Sequence, residues 1–226
     1  MGSDWQVVIN FHGIGSAHDA VVESERPYWI SADQFEAIID RAQAHPNAKR
    51  VRWTFDDGNR SDLVIGARVL AERGMRGAFF VLTGRFDDPL YLSRADTRAL
   101  ADMGMAVGLH GKDHVDWRRL DPATLADETV TARQDLSEAA GQAIDSVAIP
   151  FGGYDRRVIA HLRRCNFARI YTSDGGMSHA AQRICNRTSV RNDMSMDRID
   201  ALLAGQDRPA RRLKRLVSTT VRRHLR

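Results

Sequence analysis

Two stretches of this chain carry residue types that do chemistry: Thr54-Phe55-Asp56-Asp57-Gly58 and His110-Gly111-Lys112-Asp113-His114. Each follows an apolar run of strand length, Val51 to Phe55 and Met105 to Leu109. Successive strand residues face opposite sides of a sheet, so one solvated face does not explain two adjacent acids. At a strand end, where the backbone turns, both acids reach the same mouth. Two histidines and a carboxylate form a ligand set for a divalent metal such as zinc, with one position left open for water. The spare carboxylate is then free to act as a base, which is the outline of a metal-assisted hydrolase. Taken singly, Asp-Asp-Gly is a turn signal and His-x-x-x-His fits surface or capping chemistry. Their shared position after apolar runs lifts the pair above that reading.

The elements that must position these residues alternate along the chain. Strand-like runs fall at Gln6–Phe11, Val51–Phe55, Gly77–Leu82, Met105–Leu109, Ser146–Ile149, Ala168–Thr172 and Thr188–Val190. Between them, Ser31 with Gln34 suggests a capping box ahead of the stripe Phe35, Ile38, Ile39 and Ala42. Ser61 or Asp62, Ser93, Asp121-Pro122 and Asp155 offer further helix starts, and Gly74, Gly104 and Gly141 offer stops. Such alternation predicts an α/β fold with crossover helices: a distorted (β/α) barrel, complete or incomplete, of about seven parallel strands. Active sites of parallel barrels lie at the C-terminal strand ends. His12, Asp56, Asp57, His110, Pro150 with Phe151, and Asp174 all fall there.

The 226 residues are 43% hydrophobic and 27% charged, ordinary for one large globular domain. No run approaches the roughly 20 apolar residues needed to span a bilayer. The N-terminus has no basic region followed by an apolar stretch longer than Gln6–Phe11, so the expected location is cytoplasmic. Cys165 and Cys185 lack metal-type spacing and are read as small buried hydrophobes. Between Gly205 and Arg226, eight Lys or Arg stand against Asp207, which gives +7 and leaves −3 of the total +4 for the rest. This divides the chain into a catalytic domain, 1–204, and a basic tail, 205–226. In the tail, Leu213, Leu216, Val217, Val221 and Leu225 recur at near-helical spacing. The expectation is weak attachment to an anionic membrane surface, the inner face for a cytoplasmic protein. Nucleic acid is not expected, because the acidic body offers no matching basic face.

Thr54-Phe55-Asp56-Asp57-Gly58, His110-x-x-x-His114 and Pro150-Phe151-Gly152 resemble the first three motifs of the NodB-type polysaccharide deacetylases, carbohydrate esterase family 4. The resemblance runs in order over roughly Val7 to Val190. It implies hydrolysis of N-acetyl groups from an amino-sugar-containing saccharide, with a place in polysaccharide biosynthesis. It implies that Asp57, His110 and His114 hold the metal, usually zinc, and that Asp56 is the general base. Pro150, Phe151 and Gly152 would line the site, with a backbone N–H binding the oxyanion. The family's late Leu-x-His, source of the general acid, is absent after His114. His12, in Asn10-Phe11-His12-Gly13-Ile14-Gly15, resembles the acid of the circularly permuted branch, and is the expected donor. Where the family has an arginine two residues before the proline, this chain has Ala148. Arg187 and Arg191, beside the last strand, are the candidate replacements, and Asp174 is a candidate to orient His12.

Tyr28, Trp29, Trp117 and Tyr154 lie near these motifs and are candidates to stack on sugar rings, whereas Trp5 and Trp53 read as core. Two other readings stay open on the sequence: hydrolysis of another C–N bond on the same fold, and an inactive saccharide-binding module. The intact Asp56, Asp57, His110, His114 and His12 speak against the second.

Overall fold

The computed structural model describes residues 4–206. The basic tail, apart from its first two residues, and its expected membrane contact lie outside the described residues. No helix among the described residues is long and apolar enough to cross a membrane.

The strands form one curved sheet in the order Ile184–Asn186, Arg169–Thr172, Ser146–Ala148, Ala106–Leu109, Gly77–Val81, Val51–Phe55, Trp5–Phe11 and Thr188–Ser189. Every neighbour on this path is parallel. The first and last strands of that order are separated in sequence by Arg187 alone. The segment 184–189 therefore joins the two sheet edges and nearly closes a distorted (β/α) barrel, as the alternation predicts. One strand departs from the expectation: Met177–His179 runs antiparallel against Trp5–Phe11.

Period-two alternation divides each strand between two environments. Val7, Ile9, Phe11, Trp53, Phe55, Phe79, Val81, Val107 and Leu109 belong to one continuous apolar core with the helix residues Phe35, Ile38, Ile39, Leu100 and Leu136. Residues of the other face, including Asn10, Thr54, Asp56 and Phe80, are equally buried but stand outside that core. The barrel interior is thus partly polar, and every polar group in it needs a partner.

Helix starts follow capping chemistry. Ser31 accepts from the Gln34 N–H at 3.0 Å, Asp121 and Asp155 cap their helices, and Ser93 forms a full capping box with Asp96. The Ser31 box is only half made, because the Gln34 side chain reaches Arg191 and Asn192 carbonyls instead. Neither Ser61 nor Asp62 caps: Ser61 accepts from the Ile14 N–H, and the helix opens as a π-helical stretch, Asp62–Ala67. A second π-helical stretch, Asp127–Thr131, interrupts the helix after Pro122. Such stretches recur near functional sites. Both cysteines are free thiols, Cys185 buried and Cys165 partly so.

Candidate active site

Phe11 and Phe55 are register partners, so the next residues, His12 and Asp56, leave the sheet side by side. Asp57 then takes a left-handed φ of 75°, which turns its carboxylate back toward the mouth that Asp56 faces. His110 follows the Ala106–Leu109 strand directly, and His114 returns to the site through its own left-handed φ of 54°. Phe151 has φ 56°. Three of the four non-glycine residues with positive φ among the described residues therefore sit in one place, a strain that persists only where surrounding structure enforces it.

Asp57 Oδ1 lies 3.2 Å from His110 Nε2 and 3.4 Å from His114 Nε2. One ligand atom from each of these three residues falls within 4.8 Å of the others. His110 Nδ1 is 2.9 Å from the Ala148 carbonyl, which only accepts, so Nδ1 carries the hydrogen and Nε2 faces the carboxylate. A neutral His110 would then aim a lone pair at Asp57, and a cation between them removes that conflict. Asp57 Oδ1 is buried and makes no aligned hydrogen bond, which fits an oxygen meant for an ion. Burial pushes His114 down to about 4, leaving a neutral imidazole at neutral pH. Burial opposes charge on His110, but Asp56 and Asp57 outweigh it and raise that pKa. Burial likewise raises Asp57, and His110 with His114 more than reverse this. The donor set fits a divalent metal.

Asp56 is held differently. Arg187, completely buried, donates from Nη1 to Asp56 Oδ1 at 2.6 Å and from Nη2 to Oδ2 at 2.7 Å. Its guanidinium lies between the rings of Phe80 and Tyr171, 5.3 and 5.6 Å from their centroids. Asn10 completes the network: its Nδ2 donates to Asp56 Oδ2 at 3.0 Å, and its Oδ1 accepts from Thr54 and Arg187. Burial alone would protonate Asp56, but the Arg187 charge holds its pKa below the ordinary carboxylate value. Arg187, one of the two candidate replacements, reaches the Asp56 carboxylate from the barrel seam. Arg191 does not: it pairs with Asp193 at 3.1 Å and lies over the Tyr28 ring. Asp62, fully buried behind the pair, is kept well above the carboxylate range by burial and by Asp57 and Asp56.

His12 lines a cavity of about 230 Å³ together with Glu25, Tyr28, Asp56, Asp57 and Phe151. Its ring lies tilted against Tyr28, with centroids 5.0 Å apart, and Nδ1 is buried without a hydrogen-bond partner. Burial lowers its pKa, against the pull of Asp57 and Asp56. Asp174 Oδ2 accepts from Tyr154 at 2.6 Å and Thr172 at 2.9 Å. Trp117 and Tyr154 are fully buried and do not reach a sugar, whereas Tyr28 and Trp29 border the cleft. Phe151 is 59% exposed and its ring lies tilted over that of His114, with centroids 4.3 Å apart. In its turn, Pro150 has no N–H and that of Gly152 donates to the Ile149 carbonyl.

Glu128 has no signal in the sequence beyond a charge on a helix, yet it shapes the His110–His114 loop. Buried at 2% exposure, it accepts from the Lys112 N–H (2.9 Å), the Asp113 N–H (3.0 Å) and Trp117 Nε1 (3.2 Å). Gly111, with φ 96°, leaves room for it: an added Cβ would fall 2.6 Å from Glu128 Oε2. Glu128→Ala leaves these donors buried without a partner, at roughly 1–3 kcal/mol each. The expected result is metal affinity weaker by about 10–100-fold, as for other supports of ligand groups, measured by competition with a chromogenic chelator. Asp127→Asn, which removes the charge that pairs with the Lys112 ammonium but touches none of the Glu128 bonds, should leave affinity unchanged. Equal affinity in both variants would contradict this role.

A barrel rim that gathers a metal-type ligand set beside a paired carboxylate defines a hydrolase-like site. The sequence profile of the polysaccharide deacetylase family matches residues 43–170, and the chain belongs to that family. The fold agrees with that of the Streptococcus pyogenes deacetylase PplD, solved with acetate, at a TM-score of 0.75 and 18% identity over 90% of this chain and 99% of that one. IcaB from Ammonifex degensii gives 0.73 at 21% identity, over 89% and 97%. YxkH of Bacillus subtilis (strain 168) is 21% identical over 186 residues, 77% of this chain and 67% of that protein. His12 and Arg187 both lie outside the stretch that the family profile matches.

Proposed function

We propose that this chain hydrolyses N-acetyl groups of an amino-sugar-containing saccharide in polysaccharide biosynthesis, with a divalent metal as cofactor. The observation that carries the reading is the convergence of Asp57, His110 and His114 beside an Asp56 locked by Arg187. Asp57, His110 and His114 hold the metal. When bound, an ion such as Zn²⁺ supplies Lewis acidity and lowers the pKa of water toward about 7. Asp56, kept ionised by Arg187, takes the proton of the attacking water. A backbone N–H of the Pro150-Phe151-Gly152 turn would bind the developing oxyanion. As the C–N bond breaks, the protonated form of His12, a minor form at neutral pH because burial lowers its pKa, gives its proton to the departing nitrogen, and the products are acetate and a free amine.

His12→Ala should fold and keep its metal while losing roughly 10²–10⁴ in rate, the usual range for a general acid. An unchanged rate would mean another group supplies the proton. The reaction itself is tested by acetate release from N-acetylglucosamine oligomers. Bound metal with no acetate release would favour a binding module instead.

A further inference from the structure

A neutral imidazole has one nitrogen that donates and one that accepts, and it ligates an ion only through the second. For His110 the backbone makes the choice, since the Ala148 carbonyl lies 2.9 Å from Nδ1 and takes the hydrogen there. His114 has no such carbonyl printed on its ring, although its Nε2 lies 3.4 Å from Asp57 Oδ1 in the same way. The group that faces its Nδ1 is Glu25, whose Oε1 is 3.8 Å away. Glu25 is partly exposed, and a rotation of its side chain closes that gap to a hydrogen bond. The backbone that carries it is tied down. The Glu25 N–H donates to the Val22 carbonyl at 2.9 Å, and its carbonyl accepts from the Tyr28 N–H at 2.9 Å. Pro27 fixes the short turn Arg26–Tyr28 that follows. That turn also sets Tyr28 against His12, so one loop touches the expected acid and a metal ligand together.

Charge points the same way. The carboxylates that line the catalytic pocket are Glu25, Asp56 and Asp57. Asp56 is matched by Arg187, and the other two together balance a divalent ion. A carboxylate behind a ligating histidine fixes its tautomer, aims its ring and makes the ligating nitrogen more basic. We infer that Glu25 is a positioning residue for His114: its carboxylate takes the Nδ1 hydrogen and keeps the Nε2 lone pair free for the ion. The inference rests on the metal reading above. It adds a residue of the loop between the Trp5–Phe11 strand and the Ala32–Ala44 helix, outside the stretch 43–170 that the family profile matches.

Two readouts test it, neither of which is turnover. The first is the imidazole tautomer in metal-free protein labelled with ¹⁵N-histidine, read from long-range ¹H–¹⁵N spectra at neutral pH, with His114→Gln assigning the signal. The unsubstituted protein should show His114 in the Nδ1–H form, and Glu25→Ala should shift it toward the Nε2–H form. Glu25→Gln, whose amide oxygen still accepts, should hold the Nδ1–H form. The second is Zn²⁺ affinity by chelator competition. Glu25→Ala should weaken it by about 10–100-fold, and Glu25→Gln by less. Glu23→Ala, two residues away on the exposed face of the loop and paired with Arg26, should change neither readout. An Nε2–H ring in the unsubstituted protein would overturn the inference. So would a Glu25→Ala protein whose tautomer is unchanged, whatever its affinity, because Glu25 would then act as a charge or not at all. The two readings fail separately. Zn²⁺ bound tightly with no dependence on Glu25 overturns the positioning role and leaves the metal site standing. A Glu25-dependent tautomer in a protein that binds no Zn²⁺ does the reverse.

Discussion

Asp57→Ala, His110→Ala and His114→Ala are each expected to lose the metal and acetate release together. The three ligand atoms lie within 4.8 Å of one another. Loss of a direct ligand should exceed the 10–100-fold affinity cost typical of supporting residues. Elemental analysis after dialysis reads occupancy, and acetate release reads turnover. Full occupancy in any one variant would remove that residue from the ligand set. Asp56→Asn is the contrast: it should retain metal and lose turnover, because the base is not needed to hold the ion.

The second large effect concerns Arg187. Asp56 is 2% exposed and Arg187 fully buried, so removing the arginine strands a carboxylate in the barrel interior. Breaking one side of a buried pair costs roughly 3–5 kcal/mol. For a protein of this size, about 2–4 °C per kcal/mol translates that into a Tm lower by roughly 6–20 °C. Arg187→Ala should also deplete the ionised form of Asp56, and turnover with it. Arg187→Lys keeps a charge but not the two-pronged geometry, so it should recover part of the Tm and little of the rate. Asp56→Asn combined with Arg187→Met removes both charges and should be more stable than Arg187→Ala alone. An Arg187→Ala protein with wild-type Tm and wild-type turnover would show that the pair has no role in holding the base.

Much of this was legible in the residues. Adjacent acids at a strand end and histidines after the next apolar run mark the site because the chemistry needs them local to two strand ends. The barrel was legible because parallel strands and crossover helices leave alternating apolar periods. What escaped lies in contacts between distant segments. Asn10 reads only as a poor strand former, yet it joins Asp56, 46 positions away, to Arg187, 177 positions away. Arg187 and Arg191 are equivalent in sequence, and only closure of the barrel at segment 184–189 turns one inward. Trp117 and Tyr154 read as rim aromatics, but their polar atoms bond Glu128 and Asp174, which draws the rings inside. The π-helical stretches escaped because they break the 3.6-residue period on which helix reading depends.

The central claim, metal-dependent N-deacetylation, is met most directly by one assay. Protein stripped of metal with a chelator is compared with the same protein reloaded with Zn²⁺, and acetate release from N-acetylglucosamine tetramer is measured. The account predicts no release from the stripped protein and recovery at one equivalent of metal, with Asp57→Ala unrecovered at that concentration. Equal release by stripped and reloaded protein, or none by protein shown to hold its metal, would contradict it.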